Sequence, residues 1–169
     1  MAGLAQLGRE EAEEYRGSTG QPVASHAALL GVYVVLVAIA ALAARAAGKE
    51  LPEQVSVKDL VIMALGTHKI ARAVTKESVT SPVRAPFTEH HGPEGPAEVA
   101  DEPRGDGGMR HAVGELLTCP FCLDVWVVSL FGLGLVVAPR LTRLVAGSFS
   151  ALAGADFLQL AYARAQQEA

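Results

Sequence analysis

Charge is what this chain has least of. Only 19% of its 169 residues are Asp, Glu, Lys or Arg, whereas an ordinary soluble domain carries about a quarter and spreads them along its helices. That scarcity excludes an ordinary soluble helical domain. An excess of basic residues is also missing: 14 Lys and Arg stand against 18 Asp and Glu, intermixed, for a net charge of -4. No nucleic-acid partner is expected, because such a partner needs a basic face. Two cysteines cannot build a disulfide framework. The first 25 residues lack a basic start and carry E-E-A-E-E at Glu10 to Glu14 before a full-length apolar run, so they are not expected to be a signal peptide.

Long apolar runs take the place of the missing charge. Half of the residues are apolar, and polar residues gather in an acidic head (Arg9 to Glu14), a Pro/Gly-rich middle (Lys76 to His111) and a short tail. The runs between them approach the roughly 20 residues that cross a hydrocarbon core of about 30 Å. His26 to Ala44 is uncharged and stops at Arg45 and Lys49, which read as interfacial anchors. Ser56 to Asp59 (S-V-K-D) reads as a capping box that starts a second helix. That helix has an apolar interior, Leu60 to Thr67, followed by His68, Lys69 and Arg72, so it spans with snorkelling cations or lies in the interface.

The expected fold is an all-α integral membrane protein, a four-helix transmembrane bundle whose helices 3 and 4 form an antiparallel hairpin. A polar N-terminal tail over 1–25 precedes one membrane domain over 26–163, and a tail over 164–169 follows. Transmembrane helices are expected at 26–44, 57–74, 119–138 and 142–163, the last two joined by a tight turn at Arg140 to Thr142. The loop 75–118 should be extended over Val79 to Phe87, since each proline disfavours helix in the residue before it, and mobile over the insert 88–110. Ala146, Ser150 and Gly154, with Gly147, Ala151 and Ala155, set small residues at helical spacing for close helix contact.

Four crossings put the termini and the long loop on one side with nine basic residues: Arg9, Arg16, Lys69, Arg72, Lys76, Arg84, Arg104, Arg110 and Arg164. Five remain opposite: Arg45, Lys49, Lys58, Arg140 and Arg143. The excess of positive charge marks the cytoplasmic side, so the expected location is a bacterial inner membrane with cytoplasmic termini.

D-L-V-I-M-A-L-G-T-H-K-I-A-R from Asp59 to Arg72, S-P-V-R-A-P-F from Ser81 to Phe87 and G-E-L-L-T-C-P-F-C-L-D-V-W from Gly114 to Trp126 follow one another in this order. The order resembles a family of small bacterial membrane proteins catalogued as domain of unknown function 1360, some members of which are associated with sporulation. The resemblance covers roughly Val57 to Tyr162 and excludes the insert Thr88 to Gly108. It implies a multi-helix membrane protein without an assigned activity.

Two groups of residues carry candidate chemistry. Cys119 and Cys122 sit at the start of helix 3 with Pro120 at its first position, where a missing N–H costs nothing. A helix N-terminus lowers a thiol pKa, as dithiol oxidoreductases require. Half a zinc site, completed by His111 among others, is a second reading, and plain packing of small apolar residues is a third. Thiols facing the cytoplasm should stay reduced, which favours packing or metal over disulfide exchange. The other group is a ring of polar residues at one level: His68, Lys69, Arg72, Arg84, Glu115, Asp124 and Asp156. Asp124 should pair with Arg72 or Lys69, and Asp156 with His68, because unpaired charges inside a span are costly. The ring either fixes helix packing or lines a polar cavity.

No cofactor is assigned; zinc is the metal the cysteine site would take. The expected partners are the bilayer and a protein partner or a second copy of the chain. The expected role is non-enzymatic, structural or in assembly. A membrane thiol oxidoreductase or zinc protein is the alternative, and a small oligomeric transporter or lipid-binding module the third reading.

Overall fold

The structure, a computed structural model, describes residues 14–15 and 22–168. Most of the polar N-terminal tail, including much of the acidic stretch from Glu10, lies outside the described residues. Helix α1 (Val23–Ala46) covers the first apolar run. Its 24 residues reach about 36 Å at a rise of about 1.5 Å each. Helix α2 (Val57–Lys76) begins as the capping pattern predicts, with Ser56 Oγ accepting from the Asp59 amide at 3.1 Å. The Asp59 carboxylate, however, turns away from the helix end to another helix.

Residues 77–118 depart most from expectation. Instead of an extended segment, Ser78–Thr80 forms a 3-10 turn and Ser81–Arg84 a one-turn helix, α3. Pro82 lies in the first turn of α3, where no intrahelical N–H is required of it. In place of a mobile insert, β1 (Thr88–Gly95) and β2 (Glu98–Pro103) pair as an antiparallel hairpin, with Thr88 opposite Pro103 and His90 opposite Asp101. A further helix, α4 (Gly108–Thr118), precedes the cysteines.

Helix α5 (Pro120–Val137) starts with Cys119 as its cap. The chain reverses at Ala138, and Pro139 opens α6 (Pro139–Gln167). The reversal thus comes before Arg140 to Thr142, which are already helical, and α6 continues through the expected tail to Gln167. Among the described residues, three helices are long and apolar enough to cross a membrane: α1, α5 and α6. Helix α2 is outside that set because Lys58, Asp59, Lys69, Arg72 and Lys76 interrupt it. Among the described residues the chain is mostly helical with one two-stranded sheet; four membrane-crossing helices are not what the apolar lengths alone give.

Contacts fix the helix directions. Asp59 meets Arg143 and Lys69 meets Asp156, so α2 and α6 run the same way. His26 meets Glu115 of α4, just before α5, Tyr33 meets Ser129 of α5, and the two helices line one groove from Tyr33 and Trp126 to Ala44 and Val136, so α1 runs with α5. The short link at Ala138 makes α5 antiparallel to α6. The segment 77–118 therefore caps one end of the helices, and the Ala138 turn lies at the other.

Met63, Val127, Phe131 and Ala146 form the core, with Ile62, Ile70, Leu123 and Leu135 packed against it. Gly66 lets α2 and α6 touch: a Cβ there would stand 2.9 Å from the Ala146 carbonyl oxygen. Ser150 Oγ donates to Ile62 O across the same contact at 2.6 Å. Two of the six small residues of the stripe on α6, Ala146 and Ser150, are thus spent inside the chain.

Candidate functional site

The cap end is built on three cations that share one face of α2. Lys69, Arg72 and Lys76 are spaced i, i+3 and i+7, which stacks them along one stripe. Each reaches different elements. Lys69 Nζ contacts Asp156 of α6 at 2.8 Å and also Glu77. Arg72 pairs with Glu98 of β2, and Lys76 with Glu94 of β1 at 2.6 Å. The hairpin therefore stands on the end of α2 through ion pairs.

Arg84 locks this arrangement. Its side chain is fully buried, and Nε donates to Asp101 Oδ2 at 2.8 Å. Nη1 donates to the carbonyls of Val74 and Glu77 at 2.7 and 3.0 Å, and to Thr80 Oγ1 at 2.7 Å. A guanidinium thus satisfies the last carbonyls of α2, where a cation also complements the helix dipole. Asp101 is 5% exposed. Burial, the largest influence on it, pushes its carboxyl up, but hydrogen bonds from Arg84 and His90 and their charges together hold it below the usual carboxylate range.

A cavity of about 400 Å³ opens beside this pair, lined by Ser78, Ser81, Thr88, His90, Asp101 and Arg104 among others. His90 Nδ1 lies 3.0 Å from Asp101 Oδ1, an imidazole oriented by a carboxylate. No hydrogen bond joins His90 to Ser78 or Ser81, so no nucleophile is positioned against it. Sequence reasoning missed this corner because His90 falls in the insert 88–110 expected to be mobile.

The expected ring of seven does not close. Asp156 pairs with Lys69 instead of His68, whose ring stacks parallel to Phe157 at 6.2 Å and 10°. Glu115 leaves the cations altogether: one carboxylate oxygen lies 2.5 Å from His26 Nε2, and the other 3.7 Å from His111 Nε2. Asp124 finds neither Arg72 nor Lys69, and its buried Oδ1 has no partner. A pairing not foreseen is Asp59 with Arg143, a two-pronged contact at 2.8 and 2.9 Å joining α2 to α6 at the turn end. The signal for it was their similar depth: each charge lies near the start of one of two helices that run the same way.

Cys119 and Cys122 are joined by a disulfide, against the expectation of reduced thiols. Cys119 has the extended backbone of a cap, and the Cys122 amide donates to its carbonyl at 3.2 Å. Phe121 between them is 85% exposed, so the bond lies in an open corner. His111 faces Glu115, and among the described residues no group of three or more His, Cys, Asp or Glu side chains is arranged to hold a metal ion. The geometry does not fit the zinc reading.

These features define a helical protein with three membrane-length apolar helices and a polar cap tied to a fourth helix by ion pairs. A family model matches residues 62–162, a range that encloses the hairpin, and the chain belongs to that family, described as protein of unknown function (DUF1360). No curated protein and no solved structure matches the chain.

Proposed function

We propose that this chain is a multi-pass protein of the bacterial cytoplasmic membrane that acts by assembly with a helical partner or a second copy, with no reaction of its own. The observation that carries this reading is the contrast between its two surfaces. Large apolar side chains such as Leu30, Leu42, Leu130, Leu144 and Leu158 are more than 60% exposed, while Lys69, Arg72, Lys76 and Arg84 of the cap are each paired with carboxylates. Lipid covers the first kind of surface, and ion pairs fix the second in place. Helix α2 is the fourth crossing. It follows α6 from Asp59 and Arg143 to Lys69 and Asp156, with its charges at the two ends of the shared contact, where long side chains reach an interface. The positive-inside rule then puts cap and termini in the cytoplasm.

Assembly is supported by the small residues of the stripe that the chain itself leaves uncovered. Side chains added at Gly147 or Gly154 would meet nothing within 4 Å, and Ala151 between them is exposed. The test is single-cysteine labelling of intact cells in a Cys119→Ser/Cys122→Ser background. A membrane-impermeant thiol reagent is expected to label Glu53→Cys, between α1 and α2, and to spare Glu89→Cys in the hairpin. Labelling of both or neither removes the four-crossing topology.

One observation favours a second reading. The bonded Cys119–Cys122 pair at the start of α5 has the placement of a dithiol/disulfide couple, which passes two electrons and two protons to and from another protein's thiols. Alkylation gel shifts on cells with the pair intact decide it. A fully oxidised or fully reduced pair that does not respond to added dithiol or oxidant rules out exchange.

A further inference from the structure

The polar groups above leave one large feature unexplained, the open space between α1 and α5. Helix α1 contacts chiefly α4 and α5, and beyond Tyr33 the two helices line an open groove of about 800 Å³. That volume lies within the roughly 300–1,000 Å³ of small-ligand sites. Its walls are Leu36, Val37 and Ala40 on one side and Leu130, Leu133 and Val136 on the other. Toward the cap it is closed by Tyr33, whose hydroxyl is 2.7 Å from Ser129 Oγ and whose ring meets Trp126 edge-on, centroids 5.1 Å apart.

The other end is different. Arg45 and Lys49 line the cavity there, no carboxylate does, and among the described residues neither cation forms an ion pair. From Tyr33 to Arg45 the helix rises about 18 Å, close to the roughly 15 Å of one hydrocarbon leaflet. A slot of leaflet depth, apolar along its length and cationic at one mouth, is complementary to an acyl chain that carries an anionic headgroup. We infer that the groove between α1 and α5 binds one anionic phospholipid, with an acyl chain along Leu36 to Val136 and its phosphate at Arg45 and Lys49. This rests on the membrane reading above. It gives the loosely packed α1 a reason to stand apart: the lipid fills the gap and joins α1 to α5.

The chain's single tryptophan lines the groove and reports on it. The full chain is reconstituted into vesicles of phosphatidylcholine with increasing fractions of brominated phosphatidylglycerol or, separately, brominated phosphatidylcholine, and Trp126 fluorescence is followed. Phosphatidylglycerol is expected to reach half-quenching at a mole fraction about fivefold lower than phosphatidylcholine, the effect of roughly one well-placed cation. R45Q/K49Q should erase that preference while leaving quenching by phosphatidylcholine unchanged. Gly132→Leu, which fills the groove from α5 where an added Cβ meets nothing within 4 Å, should weaken quenching by phosphatidylglycerol. Identical curves for the two lipids, or a preference that survives R45Q/K49Q, would overturn the site. Wild-type protein that fails to float with the vesicles would overturn the membrane reading beneath it as well, so the two failures are distinct.

Discussion

Replacing Arg84 by methionine keeps most of the side-chain volume and removes the charge. The buried Asp101 carboxylate then loses its 2.8 Å partner, and the carbonyls of Val74 and Glu77 lose theirs. Because Arg84 is fully buried, water does not replace these bonds unless the cap opens. Breaking a buried pair from one side costs about 3–5 kcal/mol, which raises the population of the opened cap roughly 150- to 5,000-fold. Hydrogen exchange on the purified protein measures this directly. The amides of β1, β2 and the Ser78–Arg84 turns should exchange faster by that factor in Arg84→Met, while those of α5 and α6 keep their protection. Arg84→Lys, which retains charge but not the fork, should fall between. Exchange in the hairpin within about threefold of wild type would refute the claim that Arg84 holds the cap, since even the low end of the range is far larger.

Other consequences are sharper for being local. Asp101 has its carboxyl held below the usual range in the folded state, so its contribution is complete above the ordinary value near 3.9 and is lost as pH falls through the folded value; hairpin exchange should accelerate only in acid, and Asp101→Asn should flatten that dependence. Gly66→Ala gains up to about 1 kcal/mol in helix propensity but places a Cβ 2.9 Å from Ala146 O, and overpacking at about 1–3 kcal/mol outweighs the gain. Thermal unfolding in detergent should show a loss there, and a small gain for Gly147→Ala, where nothing lies within 4 Å. Asp124→Leu removes a buried oxygen without a partner and should stabilise by about 1–3 kcal/mol; a lowered melting temperature would instead reveal a partner for Asp124.

What was legible in the sequence follows from which interactions are local. The runs that became α1 and α5 are long apolar stretches, the second broken only by Asp124 and Ser129, and the Ser56 and Cys119 caps depend on residues within one turn. The hairpin was illegible because T-E-H-H-G-P-E-G and E-V-A-D-E-P have no alternating apolar face. Its strands are held by Arg84, Arg72 and Lys76 from outside the sheet, and Gly92, Pro93, Gly95 and Pro96 read as coil. Pro82 misled through the restraint it puts on its predecessor, which one turn of helix tolerated in its first residues. The polar residues of the site were identifiable as a set, since charges near apolar spans stand out. Their pairing was not, because Lys69 with Asp156 and Glu115 with His26 depend on the rotation of helices separated by 87 and 89 positions.

The Asp59–Arg143 contact offers the most direct check on that rotation. Lipid tails are as apolar as leucine, so helix association in a bilayer relies on close packing and polar contacts instead of burial. Here the two kinds divide the length of the α2–α6 contact. Gly66, Ala146 and Ser150 set the distance in the middle, and Asp59–Arg143 and Lys69–Asp156 set the register toward the ends. A slip of one residue, about 1.5 Å, breaks both ion pairs while leaving the small residues nearly in contact, so the charges select among packings that the core alone would accept. Reversing the pair tests this. Asp59→Arg and Arg143→Asp should each destabilise, the first also through a cation at the start of α2. The double reversal should recover an interaction energy of about 0.5–3 kcal/mol relative to the sum of the singles. Simple additivity in the double variant would mean that the pair does not form in the folded protein, and the register of α2 on α6 would have to be redrawn.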